Sequence, residues 1–239
     1  MNKYKDSDKP YVRIIRTYNY SNIGRNYLQM SRSKIIITTK SEVPAENRQS
    51  AKFAILVCDM LNDFVHGKLK CERATRIIPN IKLLLEEAHK KKIPIFFCVD
   101  EHLPTDHYEI KLWGPHAMKG SEGAKIIDEL KPIESDYIIP KRRYSAFDGT
   151  ALDKALKEAY NGKGADTIII TGVTTNICDT HTAYDAFVRG FNIIVPEDAV
   201  EAFTEEDHTS GLEYLKRVYG AKIKKVQDII KIFQERSQL

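Results

Sequence analysis

The chain has 239 residues, of which 42% are hydrophobic and 29% charged, which is typical of one α/β domain with a large core. Its net charge of +4 arises in residues 1–50, which contain ten lysines and arginines but only four aspartates and glutamates. The remainder of the chain is slightly acidic. This distribution argues against a nucleic-acid groove, and the lack of a long apolar run or secretory signal leads us to expect a cytoplasmic protein without membrane contacts.

Residues 1–50 are interpreted as a basic N-terminal extension that packs on the body or on a partner subunit. Its IIITT run, residues 35–39, is typical of an edge strand. Residues 51–239 are interpreted as a single catalytic domain.

From residue 53 onward, short apolar runs alternate with amphipathic segments. The runs predict strands at 53–58, 93–99, 137–140, 166–171, 191–195 and 222–226. The amphipathic segments predict helices at 79–92, 122–130, 150–160 and 205–218, one that begins near residue 178 and one at the C-terminus. This alternation predicts an α/β fold with three layers: a doubly wound, mainly parallel sheet with helices on both faces. No glycine-rich phosphate loop is present, so no nucleotide cofactor is expected.

Two charged residues directly follow predicted strands. Asp59 follows the first predicted strand and Lys141 follows the third. Ligands of open parallel sheets bind just outside the carboxyl ends of the strands, where Asp59 could act as a general base and Lys141 could balance its charge. The alternative interpretations are a helix or turn cap for Asp59 and a solvated strand-end charge for Lys141.

Cys178 lies between a predicted strand that ends near Gly172 and a predicted helix. The residues expected on the inner side of that helix are Ile177, Ala183, Tyr184, Ala186 and Phe187. At the start of a helix, free N–H groups and the dipole stabilise a thiolate, which is the nucleophilic form. The alternative interpretation is a small buried thiol that only packs.

Three segments together resemble the isochorismatase-like cysteine hydrolase superfamily: AILVCDMLNDF, PKRRYSAFDGTALDKAL and TGVTTNICDTHTAYDAFVRGFNIIVPEDAV. The resemblance covers residues 53–219. It implies a catalytic triad of Asp59, Lys141 and Cys178, and a cis peptide bond between Val173 and Thr174. It also implies that the backbone N–H groups of Thr174 and Cys178 stabilise an oxyanion.

The segment after the second strand contains candidate metal ligands. Asp100 and His102 would point to the same side of extended backbone, and a carboxylate with an imidazole suits zinc, iron or manganese. The order Asp100, His102, Trp113, His116 resembles the nicotinamidase branch, in which a metal takes the ring nitrogen of nicotinamide. We therefore expect a divalent metal, zinc first, with His116 as the third ligand and His107 as a weaker candidate. Metal-free amidases of the superfamily carry a similar segment, and in them His116 would be a hydrogen-bonded structural histidine.

These features predict a hydrolase of a small carboxamide, with nicotinamide as the leading substrate. Phe64, Trp113 and Tyr144 are candidate walls for a flat ring, or else core residues. A metal-free amidase acting on a carbamoyl or ureido compound is the first alternative, and a non-catalytic binding protein on the same fold is the second. The superfamily resemblance also implies a homo-oligomer.

Overall fold

The structure, a computed structural model, describes residues 51–235. The extension predicted for residues 1–50, with its edge strand, lies outside the described residues. Within the described part of the chain, no helix combines the length and apolar character needed to cross a membrane.

Seven strands within residues 51–235 pair in parallel to form one sheet. They are β1 (Phe53–Cys58), β2 (Ile95–Asp100), β3 (Tyr137–Lys141), β4 (Thr167–Val173), β5 (Asn192–Pro196), β6 (Val200–Glu201) and β7 (Lys222–Lys224). The order across the sheet is β3-β2-β1-β4-β5-β7, and β6 pairs with β4. The chain therefore winds outward from β1 to β3, returns, and winds outward again from β4 to β7.

The helices that connect these strands vary from one turn to four. They are α1 (Asn62–Val65), α2 (Ile78–Lys90), α3 (His107–Trp113), α4 (Leu152–Gly162), α5 (Thr180–Val188), α6 (Glu205–Tyr219) and α7 (Val226–Glu235). Each long helix presents an apolar stripe to the sheet, as the buried Ile81, Leu84 and Ala88 of α2 illustrate.

Both faces of the sheet are covered. Along β1, Ile55 and Val57 enter the core formed with α2 and α7, whereas Leu56 and Cys58 enter the core formed with α4, α5 and α6. This division follows from the two-residue period of a strand, which sends successive side chains to opposite faces. The predicted three-layer, doubly wound sheet is confirmed.

The doubly wound topology fixes where a site can form. β1 and β4 are neighbours, and the winding reverses between them. At such a switch point the connections leave in opposite directions and open a crevice at the carboxyl ends of the strands. Asp59 follows β1 directly and the segment containing Cys178 follows β4, so both residues reach this crevice.

Several predicted elements are wrong in detail. The helix predicted at 122–130 is two separate 3₁₀ turns, Glu122–Ala124 and Asp128–Leu130. Tyr184 and Phe187, which we placed on the inner side of α5, are 51% and 50% exposed, because the small residues Ala183 and Ala186 form the buried face of that helix. Helix α3 was not predicted.

We predict that Gly172→Ala destabilises the protein strongly. Gly172 pairs with Cys58 across β1 and β4 with φ of +112°, and an added Cβ would overlap the carbonyl oxygen of Cys58. The overlap and the unfavourable φ should lower the free energy of unfolding by about 3 kcal/mol or more, measured by urea denaturation. The control is Gly190→Ala, since Gly190 also has positive φ but no atom would lie within 4 Å of the new Cβ. Equal losses in the two variants would show that the close approach of β1 and β4 is unimportant.

Candidate active site

Asp59 is the first residue after β1. Its φ of +52° lies in the left-handed region, which aspartate tolerates better than most residues. The side chain is fully buried, and its Oδ1 accepts a hydrogen bond from the backbone N–H of Asp100 at 2.8 Å. This contact fixes the carboxylate between the ends of β1 and β2.

Lys141, the last residue of β3, directs its ammonium group into the same interior. Nζ lies 2.8 Å from Asp59 Oδ2 and 2.5 Å from Asp100 Oδ1, and it donates to the carbonyl oxygen of Arg143 at 3.2 Å. The lysine side chain has no exposed surface. The alternative interpretation of a solvated strand-end charge is therefore wrong, and the two carboxylates compensate a charge that would be costly to bury alone.

Cys178 approaches this cluster from the other side of the switch point. The peptide bond between Val173 and Thr174 is cis, and a π-helical turn, Thr175–Asp179, then leads into α5. Cys178 lies within that turn and is 6% exposed. Its Sγ is 3.7 Å from Lys141 Nζ.

The thiol and the two carboxylates form a compact group, with their ligand atoms all within 4.8 Å of one another. Burial and the neighbouring Asp100 raise the pKa of Asp59 to about 6, against the opposing effect of Lys141. Burial works against a charged Lys141, but Asp100 and Asp59 together raise its pKa well above the ordinary range. The lysine therefore stays charged between two acids.

Other groups in the cluster oppose the thiolate that the helix start was expected to stabilise. Burial raises the pKa of Cys178 well above its ordinary value, and Lys141 offsets this only in part because Asp59 and Asp100 repel the negative charge. These surroundings favour the protonated thiol, next to a carboxylate with a pKa of about 6.

Asp100, His102 and His116 lie together beside the thiol cluster, each with one ligand atom within 4.8 Å of the others. Among the described residues, neither ring nitrogen of the buried His102 has a hydrogen-bond partner. The Nδ1 of His116 lies 2.8 Å from the carbonyl oxygen of Gly114, so a proton there leaves Nε2 with a free lone pair. Burial lowers the pKa of His116, which favours this neutral form. Two buried imidazoles and a carboxylate are a donor set that fits zinc.

Sequence reasoning missed one acid at this donor set. Glu109, on helix α3, is 8% exposed and its Oε2 lies 3.6 Å from His102 Nε2. His107, the weaker candidate, is exposed at the start of the same helix. The available signal was the four-residue spacing of Glu109 and Trp113, which places both side chains on one helical face.

A pocket joins the thiol to two of the candidate metal donors, Asp100 and His116. Its lining includes Cys178 and all three predicted wall residues, Phe64, Trp113 and Tyr144, together with Phe203. Trp113 stacks on Phe203 with ring centroids 6.1 Å apart, and its Nε1–H donates to the hydroxyl of Tyr144 at 3.0 Å. The aromatic walls therefore hold one another in place beside the thiol.

Asp179 is a second acid that the sequence analysis did not single out. It directly follows Cys178, has no exposed surface, and its carboxylate lies near the Cys58 thiol. Burial raises its pKa to about 7, and the effect of the nearby Cys58 thiol, which lowers it, is smaller.

Comparison with protein families shows which family this chain belongs to. The chain matches the model described as the isochorismatase domain over residues 53–228. The chain belongs to the isochorismatase family. Membership makes the protein a hydrolase of the isochorismatase type, with nicotinamidases and amidases among its structural neighbours.

This chain aligns with nearly the full length of individual relatives. The chain is 36% identical over 184 residues to the uncharacterized isochorismatase family protein PncA of Bacillus subtilis (strain 168), covering 72% of this chain and 98% of that protein. Among solved structures, N-carbamoylsarcosine amidase from Thermoplasma acidophilum superposes with a TM-score of 0.67 at 39% identity, covering 73% of this chain and 96% of that one. The nicotinamidase/pyrazinamidase PncA from Bacillus subtilis gives a TM-score of 0.68 at 33% identity, covering 73% and 100%.

A further structural neighbour contains a metal. Pyrazinamidase of Pyrococcus horikoshii, solved in complex with zinc, superposes with a TM-score of 0.65 at 30% identity and covers 73% of this chain and 99% of its own.

We predict that Asp179→Asn stabilises this family member in a pH-dependent manner. The folded-state pKa of Asp179, about 7, exceeds the unfolded value of about 3.9, so the folded protein binds the extra proton between these pH values. The wild type therefore loses stability as pH rises through that window, whereas the asparagine variant lacks this loss. The advantage of the variant should grow by up to about 1.4 kcal/mol per pH unit from pH ~4 to ~7 and then level off, measured by urea denaturation. An advantage that is independent of pH would contradict the buried, protonated carboxyl.

Proposed function

We propose that the protein hydrolyses a small carboxamide to the carboxylate and ammonia, with nicotinamide as the substrate. The observation that carries the proposal is the convergence on one aromatic pocket of a buried thiol, a proton acceptor and a set of metal-binding donors. The roles given below to individual residues belong to this proposal.

Cys178 is the nucleophile and Asp59 is its base. As the carboxamide enters, the thiol proton passes to Asp59, and the sulfur forms a bond to the carbonyl carbon. The pKa of Asp59, about 6, leaves the carboxylate mostly ionised at neutral pH yet basic enough to accept a proton. Lys141, 3.7 Å from the sulfur, stabilises negative charge while it moves between thiol and carboxylate.

The negative charge that develops on the carbonyl oxygen needs donors. The backbone N–H groups of Thr174 and Cys178, at the turn after β4, are proposed to supply them. The C–N bond then breaks, Asp59 returns its proton to the departing ammonia, and a thioester to Cys178 remains. Water, deprotonated by Asp59, attacks the thioester and releases the carboxylic acid product and the thiol.

Asp100, His102 and His116 would hold a divalent cation, and Glu109 would be an additional acid beside His102. When bound, the cation supplies a Lewis acid that takes the ring nitrogen of the substrate and so fixes the orientation of the ring. The fully buried His102, with no hydrogen-bond partner among the described residues, supports this use of the donor set.

Phe64, Trp113 and Tyr144 are proposed to enclose the aromatic ring. The ring would then be held by apolar walls on its faces and by one polar anchor at its nitrogen, with the carboxamide facing Cys178. Homo-oligomerisation, a cytoplasmic location and a role in NAD salvage remain predictions beside this proposal.

We predict that the zinc-loaded protein releases ammonia from nicotinamide and that Cys178→Ala lowers kcat at least about a thousandfold. Chelator treatment should abolish activity and added zinc should restore it. The matched control is Cys71→Ser, because Cys71 is a buried thiol that donates to the carbonyl oxygen of Ala202 at 3.2 Å and serine keeps that donor. The control should retain wild-type ammonia release. Wild-type protein that binds zinc but releases no ammonia would refute nicotinamide as the substrate.

We predict that benzamide, which lacks the ring nitrogen, is a much poorer substrate than nicotinamide. If the cation anchors that nitrogen, removing it should lower kcat/KM by about a hundredfold or more, since an unmatched polar site is costly. In His102→Ala the two amides should instead react at similar, low rates. Equal kcat/KM values for the two amides in the wild type would argue for a pocket that recognises ring shape alone.

An N-carbamoyl compound is the second candidate substrate. It is favoured by the 39% identity to the N-carbamoylsarcosine amidase from Thermoplasma acidophilum. The same thiol chemistry would cleave its carbamoyl amide, and a cation would not be required. Ammonia release from N-carbamoylsarcosine that is insensitive to chelator, with none from nicotinamide, would favour this candidate.

A further inference from the structure

Asp106 occupies the N-cap position of α3, yet its side chain does not cap the helix. An aspartate at this position ordinarily accepts a hydrogen bond from an N–H group of the first helical turn. Here the carboxylate is directed elsewhere, and only 3% of the residue is exposed. A buried carboxylate that forgoes the usual cap needs other partners.

Those partners surround both carboxylate oxygens. The Nε–H of Arg142 donates to Oδ1 at 3.1 Å and to Oδ2 at 3.0 Å, and its Nη2 also donates to Oδ1. The backbone N–H of Leu103 donates to Oδ2 at 2.8 Å. The guanidinium group of Arg143 lies 3.5 Å from Oδ1. A planar guanidinium fork of this kind fixes the orientation of a carboxylate.

One further group faces the fixed carboxylate. Nδ1 of His102 lies 3.5 Å from Asp106 Oδ2, while Nε2 of the same ring lies 3.5 Å from Asp100 Oδ2 and 3.6 Å from Glu109 Oε2. The ring has no exposed surface. Both ring nitrogens therefore face carboxylates. Once Nε2 binds a cation, the remaining ring proton must lie on Nδ1, where Asp106 Oδ2 can accept it.

We propose that Asp106, held in place by Arg142, is a positioning residue that sets the ring orientation and the tautomer of His102 for metal binding. The inference rests on the proposed metal site. Arg142 directly follows Lys141 at the end of β3. Lys141 contacts the thiol cluster, and Arg142 holds the carboxylate of Asp106 beside the proposed metal ligand His102. Carboxylates that orient ligating histidines in this way typically change metal affinity by about 10–100-fold.

The chain contains a matched pair of groups away from the site. Asp136 accepts the backbone N–H of Ile133, three residues earlier, at 2.9 Å, and its other oxygen lies 2.8 Å from His89 Nε2. Its side chain is 2% exposed, against 1% for Asp106. Asp136→Asn is therefore a control for the loss of a buried carboxylate that contacts both a loop N–H and a histidine.

The test is zinc affinity of the full chain, measured by competition with a chromophoric chelator, for wild type, Asp106→Asn, Arg142→Lys and Asp136→Asn. Asparagine keeps the shape and the acceptor for Leu103 but loses the charge, so the zinc Kd should rise about 10–100-fold. Lysine keeps a charge but not the fork, so the Kd should rise by less, though more than twofold. Asp136→Asn should leave the Kd unchanged. Urea denaturation of each zinc-free variant checks that it is folded.

The outcomes separate the two proposals. Wild-type protein that binds one zinc, together with an Asp106→Asn variant of equal affinity, would overturn the role of Asp106 and leave the metal site standing. Wild-type protein that binds no zinc would overturn both. Equal losses of affinity in Asp106→Asn and Asp136→Asn would show a general effect of stability and would also overturn the inference. If Asp106→Asn does not fold, an unchanged Kd in Arg142→Lys overturns it.

Discussion

The buried ammonium group of Lys141 is the interaction on which the site depends. It lies between two carboxylates that come from different strands, and its charge favours the ionised form of both. The lysine also borders the thiol. One cation therefore allows two acids and a thiol to share a space only a few ångströms across.

The sheet topology explains why these groups meet. Asp59, Asp100 and Lys141 end three adjacent parallel strands, and Cys178 follows the strand on the other side of β1. Parallel strands bring their carboxyl ends to one edge, so residues far apart in sequence become neighbours without any special loop. Asp100 has a double position: one oxygen contacts Lys141 and the other faces His102, which links the thiol cluster to the proposed metal donors.

Much of this arrangement could be predicted from the sequence, because strand ends are marked by the change from apolar to polar residues. Asp59 and Lys141 were found in that way, whereas a triad of Asp59, Lys141 and Cys178 was implied by the resemblance to the superfamily. The face of α5 was harder to predict, since Ala183 and Ala186 carry little hydrophobic signal beside the larger Tyr184 and Phe187. Helix α3 was missed because it is short, its outward residues Tyr108 and Leu112 are apolar, and its buried face includes an acid.

The ionisation of the buried side chains could not be predicted from sequence motifs. The position of Cys178 suggested a stabilised thiolate, but burial and two nearby acids raise the pKa of the thiol, and Lys141 opposes them only in part. Whether a thiol is ionised depends on how many charges the folded structure brings near it, and this number is set by tertiary contacts alone. Asp179 is a second example, because burial in the folded structure raises its pKa to about 7.

The pairing of β1 with β4 also bears on how the protein is made. More than a hundred residues separate these neighbouring strands, and Cys178 is synthesised after β1, β2 and β3. During synthesis, the central strand pair can close only once β4 has followed β1, β2 and β3. Cys178 therefore joins Asp59 and Lys141 only after the first four strands have been made.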